Sequence, residues 1–170
     1  MGYSDITSYA LYIKTGKKTY HGPVLLDFAT EKIAYTQEWR EFWFGNTFYK
    51  KKKLLPSQEY SYDARWTGGF DTLGGMKWYP NTDGHVVLRP GKGSGRLVGG
   101  NLISFAQLFG TEYMPSLMGS IVLVEDVDET PTSIWRVLQT LFLQPGVDHI
   151  QEMLIGRWDR NTTQISFHQM

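Results

Sequence analysis

Gly119-Ser120-Ile121-Val122-Leu123-Val124-Glu125-Asp126 is the stretch that decides the fold class. Ile121 to Val124 are apolar and mostly β-branched, with a glycine before them and two acids after. A short run of this kind reads as a strand buried in an α/β sheet. A carboxylate at the end of such a strand is poorly solvated. It needs a partner that stabilises its charge, or it must hold a proton. Ligand sites of α/β proteins lie at such strand ends. Glu125 therefore either faces an active-site cleft or opens a solvated loop, Asp126-Val127-Asp128-Glu129. The run alone leaves both readings open.

The flanking sequence carries the same α/β signature. Downstream, Thr130-Pro131 starts a helix, because proline is favoured in a first helical turn. Ile134, Val137, Leu138, Leu141 and Phe142 follow helical spacing until Pro145-Gly146 ends it. Met153-Leu154-Ile155 reads as a last short strand before Gly156-Arg157. Upstream, residues 85–89 and 96–98 read as strands. Gly99-Gly100-Asn101 leads into a helix over residues 102–109, stopped by Gly110. Those two glycines permit either close backbone approach at a helix start or tight packing.

The first half is organised differently. Ser4 or Asp5 caps a helix running to about Thr15, with Gly16 as its stop. Residues 19–21 form a short strand ended by Gly22-Pro23. A second helix spans residues 36–49 with Trp39, Phe42, Trp43 and Phe48, and Gly45 weakens it. Residues 54–84, with two prolines and two Gly-Gly pairs, read as irregular loops with short strands. A connector this long marks a domain boundary or a functional loop. The expected division is residues 1–53, a connector over 54–84, and a second α/β domain over 85–170.

Composition narrows the function classes. The 170 residues carry 17 basic and 17 acidic side chains, so net charge is zero and points to no nucleic-acid partner. Lys50 to Lys53 is the single basic run, and no second cluster extends it. There are no cysteines, which excludes disulfides, thiolate metal sites and a cysteine nucleophile. His21, His85, His149 and His168 show no metal-ligand spacing, so no metal is expected. No apolar stretch approaches the roughly 20 residues of a membrane span, and no signal peptide is visible. These features point to the cytoplasm.

Several short motifs admit two readings each. Gly2-Tyr3-Ser4-Asp5 places a hydroxyl at a turn into a helix, where backbone N–H groups bind an oxyanion. The same serine equally serves as an N-cap, and the second glycine of a G-x-S-x-G elbow is absent. Gly91-Lys92-Gly93-Ser94-Gly95 lacks the order of a phosphate loop and reads as a turn. Trp66 and Trp78 in the connector either stack on a flat ligand or close over the core. His21 reads as a structural residue at the end of the first strand.

Taken in order, several motifs resemble the LD-carboxypeptidase family of serine peptidases. They are Gly2-Tyr3-Ser4-Asp5-Ile6-Thr7, His21-Gly22-Pro23, Gly99-Gly100-Asn101-Leu102, Gly110-Thr111-Glu112-Tyr113-Met114-Pro115, Leu123-Val124-Glu125-Asp126 and Ile155-Gly156-Arg157. Tyr113-Met114-Pro115-Ser116-Leu117 and Gln144-Pro145-Gly146 are similar to the branch that resembles microcin C self-immunity peptidases. The resemblance implies amide hydrolysis by a Ser-Glu-His triad, on murein tetrapeptides or microcin-type aminoacyl nucleotides. It implies Ser4 as nucleophile, Glu125 as the triad glutamate and the Asp5 amide as an oxyanion donor. Trp66, Trp78 and Asn101 are the implied substrate contacts, with no cofactor. It implies the end of a flavodoxin-like nucleophile domain, an aromatic connector and a smaller α/β domain. A homodimer is compatible with the resemblance. The family histidine lies in an Asp-Phe-Gly-His segment beyond the Gly156-Arg157 region, and that segment is absent from these 170 residues. His168 lacks that context. The family's amino-terminal strands are absent as well, so both ends look truncated. Little or no hydrolysis is expected of this stretch alone. The alternatives are a non-catalytic binding module or a structural fragment of the same fold.

Overall fold

The structure is a computed structural model, and it describes residues 16, 19–24, 33–45, 53–61, 78–127, 129–156 and 158. The chain divides into two compact units. One comprises Met1–Gly22 with Pro90–Met170, and the other Pro23–Arg89.

The first unit is built on a three-stranded parallel sheet. Strand β3 spans Arg96–Asn101, β4 Ser120–Glu125 and β5 Glu152–Ile155, in the order β3-β4-β5. Parallel neighbours need crossover connections, and each link carries a helix. Helix α2, Leu102–Ala106, lies between β3 and β4, and α3, Pro131–Phe142, lies between β4 and β5. A single 3₁₀ turn, Val147–His149, precedes β5. In the second unit, β1 (Glu59–Tyr60) and β2 (Tyr79–Pro80) pair antiparallel, and α1 covers Ile33–Phe44.

Residue parity explains the core. Ser120, Val122 and Val124 of β4 are buried, while Ile121, Leu123 and Glu125 on the opposite face are half-buried. Val122 and Val124 pack with Val98, Leu102, Phe105, Leu117, Ile134, Leu141 and Trp158. Fully burying one such aliphatic side chain contributes about 1.5–3 kcal/mol. Phe105 meets Phe109 edge-on, with ring centroids 5.5 Å apart. Helix α3 starts as its sequence dictates: Pro131 occupies the first turn, and the Thr130 hydroxyl accepts the Ser133 N–H at 3.2 Å.

Gly99 shows why glycine stands in β3. Its φ is +114°, and a Cβ there would overlap the carbonyl oxygen of Leu123 on β4. Close backbone approach is thus the reading that holds, but inside the strand. Gly99-Gly100-Asn101 pairs with Leu123-Val124-Glu125 as the end of β3 and leads directly into the helix, with Asn101 as its N-cap.

Three local expectations are corrected. Residues 85–89 are not a strand. Val86, Val87 and Leu88 are all strongly exposed, so no face alternates and nothing is buried to stabilise pairing. Helix α2 ends at Ala106, and tighter turns carry the chain to Gly110 at φ +74°. Phe142 is exposed although it lies in the helical apolar series, because the buried face of α3 is carried by Ile134 and Leu141.

In the second unit, α1 carries two edge-on ring contacts, Trp39–Phe42 at 5.7 Å and Phe42–Trp43 at 5.5 Å. The expected helix over 36–49 starts earlier and ends at Phe44, before the bend at Gly45; residues 46–50 lie outside the described ones. Tyr60 and Tyr79 stack across β1 and β2 at 5.7 Å. Asn81 locks this hairpin, its side-chain amide donating to the Ser57 carbonyl at 2.6 Å and its backbone N–H to Gln58 at 2.7 Å.

Candidate functional site

The three parallel strands end together, and their carboxyl ends carry the polar residues. Asn101 closes β3 and is the register partner of Glu125, which closes β4. Gly156 follows β5 and donates its N–H to the Val124 carbonyl at 2.7 Å. A Cβ at position 156 would stand 2.5 Å from the Glu125 Cβ. Glycine there is what lets the stem of Glu125 fit.

Glu125 faces an imidazole. His21 Nε2 lies 3.6 Å from Glu125 Oε1, and the two side chains are 28% and 24% exposed. His21 belongs to the amino-terminal part of the same unit, where it makes a β-bridge just before Gly22-Pro23. Burial lowers its pKa below the usual histidine value, which favours the neutral ring at neutral pH. A neutral imidazole offers one N–H donor and one acceptor. In His21, Nε2 is the atom that faces Glu125, at a separation beyond hydrogen-bond length.

Asp126, directly after Glu125, does something else. It is 4% exposed. Its Oδ2 accepts the Ile103 N–H at 3.1 Å and its Oδ1 the Val127 N–H at 2.9 Å. Asn101 Oδ1 accepts the Ser104 N–H at 3.0 Å and the Ser104 hydroxyl at 2.8 Å. Together the two side chains satisfy two of the N–H groups that open α2. Asn101 is thus beside Glu125 in the register, with its side chain committed to a helix cap. Trp78 stands half-buried just before β2 in the other unit. Ser4, Asp5, Trp66 and His168 lie outside the described residues.

Sequence reasoning missed one contact and one role here. His21 read as structural, and its nearness to Glu125 was not foreseen, since nothing in a lone His-Gly-Pro names a partner so far along the chain. Asp126 read as part of a solvated loop. The helix start at Leu102, which needs acceptors, was the one signal that pointed to it. Among the described residues no cluster of histidines and acids could hold a metal ion, and no helix is long and apolar enough to cross a membrane.

With this geometry in hand, residues 94–169 match the model of the LD-carboxypeptidase C-terminal domain. A Bacillus subtilis protein named "Putative carboxypeptidase YocD" is 39% identical over 163 residues, covering 94% of this chain and 48% of that protein. The chain belongs to the LD-carboxypeptidase family. The MccF-like protein of Bacillus anthracis superposes with a TM-score of 0.81 at 30% identity, over 98% of this chain and 50% of that one. The microcin C7 self-immunity protein MccF, solved in complex with aspartyl sulfamoyl adenosine, gives a TM-score of 0.73 at 25% identity, over 99% and 52%. The chain spans about half the length of the curated relatives it matches. The α/β fold with a parallel sheet is therefore the fold of this LD-carboxypeptidase relative, as its strand pattern implied.

Proposed function

We propose that this LD-carboxypeptidase chain carries the nucleophile and the glutamate of a serine-type amidase acting on small acyl amides in the cytoplasm. In this reading the Ser4 hydroxyl attacks the substrate carbonyl. Its proton passes to the triad histidine, which then protonates the departing amine, and water releases the acyl group from Ser4. The Asp5 amide donates to the oxyanion. Glu125 holds the histidine in its reactive tautomer and stabilises the imidazolium that forms. Asn101 is proposed as a substrate contact through its amide nitrogen, since its Oδ1 serves the cap of α2, and Trp66 and Trp78 as aromatic contacts from the connector.

One observation carries the reading. Glu125 stands half-buried at the carboxyl end of a parallel strand, where α/β proteins place their chemistry. Its stem is accommodated by Gly156 and its carboxylate is turned toward an imidazole. The complex of MccF with an aspartyl sulfamoyl nucleotide supports an aminoacyl nucleotide as one substrate class. A tetrapeptide ending in a D-residue is the other class.

The test uses protein expressed from its complete coding sequence, with both probes followed by mass spectrometry. Ser4→Ala is expected to lower kcat by about 10⁴-fold or more and to leave ligand binding intact. Glu125→Gln is expected to cost well over tenfold, up to about 10⁴. An unchanged kcat in Ser4→Ala removes the nucleophile assignment. A loss under about tenfold in Glu125→Gln returns that residue to a structural role.

A further inference from the structure

We propose that His21 is a positioning residue: its Nε2–H holds Oε1 of Glu125 and fixes the plane in which that carboxylate meets the triad histidine. The inference rests on the catalytic reading of Glu125 and deepens it, because it adds a second imidazole with a different task.

Placement is the first argument. His21 Nε2 and Glu125 Oε1 are 3.6 Å apart, somewhat longer than the roughly 2.9 Å of an N–H···O hydrogen bond. Such contacts are often long without ligand and tighten when substrate excludes water. Both side chains are about three-quarters shielded, so the contact is stronger than a surface pair would be. The backbone is the second argument. His21 is tied by its β-bridge, so the imidazole is presented from a paired backbone position. Glu125 is equally constrained, in register with Asn101 and packed on Gly156. Two elements of one unit thus face each other through these side chains. The protonation state is the third. Burial favours the neutral ring, and a neutral ring is a hydrogen-bond donor that adds no counter-charge to the glutamate. Glu125 then keeps its full negative charge for the imidazolium that forms during turnover.

A positioning residue and a base make opposite predictions for glutamine, which donates an N–H but accepts no proton at neutral pH. With the same substrate, His21→Ala is expected to lower kcat about 10–100-fold with KM changed less than about threefold, the usual scale for removing a group that orients another. His21→Gln is expected to restore most of that loss. In a Glu125→Gln background, His21→Ala is expected to cost nothing further. His21→Gln as inactive as His21→Ala, or full activity in His21→Ala, overturns the proposal. Ring ¹⁵N NMR gives an activity-independent arm. At neutral pH His21 is expected as the Nε2–H tautomer, with its resonances moved by Glu125→Gln while those of His85 and His149 stay fixed. An Nδ1–H tautomer, or resonances indifferent to Glu125→Gln, also overturns it. Should the wild type hydrolyse neither probe, the amidase reading fails while the NMR arm still decides the contact.

Discussion

Replacing Asp126 by alanine tests how the site's backbone is held. Its two oxygens accept the Ile103 N–H at 3.1 Å and the Val127 N–H at 2.9 Å from a position 4% exposed. Ile103 lies in the first turn of α2, whose Leu102 and Phe105 are fully buried, so that end of the helix has limited access to water. Leaving its N–H without an acceptor costs about 1–3 kcal/mol. Val127 is 46% exposed, so water can take over its N–H and the loss there is smaller, about 0.5 kcal/mol. Releasing a buried carboxylate returns part of its desolvation cost. The expected net loss for Asp126→Ala is therefore about 1–3 kcal/mol. Asp126→Asn keeps one carbonyl oxygen, serves one of the two donors, and should lose about 1 kcal/mol. Urea unfolding at constant m-value reads both variants, and hydrogen exchange of the Ile103 amide locates the effect in α2. Asp126→Ala within about 0.5 kcal/mol of wild type, or more stable than Asp126→Asn, would show that these contacts do not hold the helix.

Two further outcomes follow from the same structure. Gly99→Ala should lower the melting temperature severely, with a loss of about 3 kcal/mol or more, because its Cβ would overlap the backbone oxygen of Leu123 at φ +114°; Gly110→Ala, at φ +74° with no atom within 4 Å, should lose only about 1 kcal/mol, and equal losses would refute the argument. Because burial lowers the folded-state pKa of His21, the unfolded chain binds that proton more readily, and stability should fall as pH drops below about 6.5. The carboxylate of Glu125 opposes this shift without reversing it. Urea midpoints from pH 5 to 8 should therefore show wild type losing stability faster than His21→Gln on acidification and running parallel to it above about pH 7; a wild type that gains on His21→Gln toward acid contradicts the direction.

The parts of the fold that were legible in sequence were those set by local physics. The run Ile121 to Val124 lies within β4 because a β-branched stretch between a glycine and two acids has few alternatives. Thr130-Pro131 starts α3 because capping and proline geometry are local rules. Residues 85–89 misled because strand propensity is realised only against a partner, and Val86 to Leu88 are exposed. Gly99 and Gly100 left close approach and tight packing equally open and were not read as strand residues, since the backbone that approaches Gly99 belongs to β4, more than twenty positions away. The contact of His21 with Glu125 lies furthest from any local rule. It depends on the fold bringing the amino-terminal segment to the end of β4.

Glu125 and Asp126 show why adjacency in sequence misjudges acids at a strand end. The pleat alternates: Val124 enters the core face, and Glu125 must emerge on the half-buried face beside His21. At Asp126 the strand ends, and the chain turns its side chain back toward the first turn of α2. One carboxylate is thereby consumed by two backbone amides and fixes the loop, while its neighbour presents an oxygen to an imidazole. The placement of Glu125 depends on Asp126. Were Asp126 solvated, the backbone following Glu125 would lose its anchor to α2, and the 3.6 Å contact with His21 would be one among many side-chain positions. The sheet thus leaves Glu125 facing His21 and uses the next acid, Asp126, to hold the backbone, and the order of the two is set by the parity of β4.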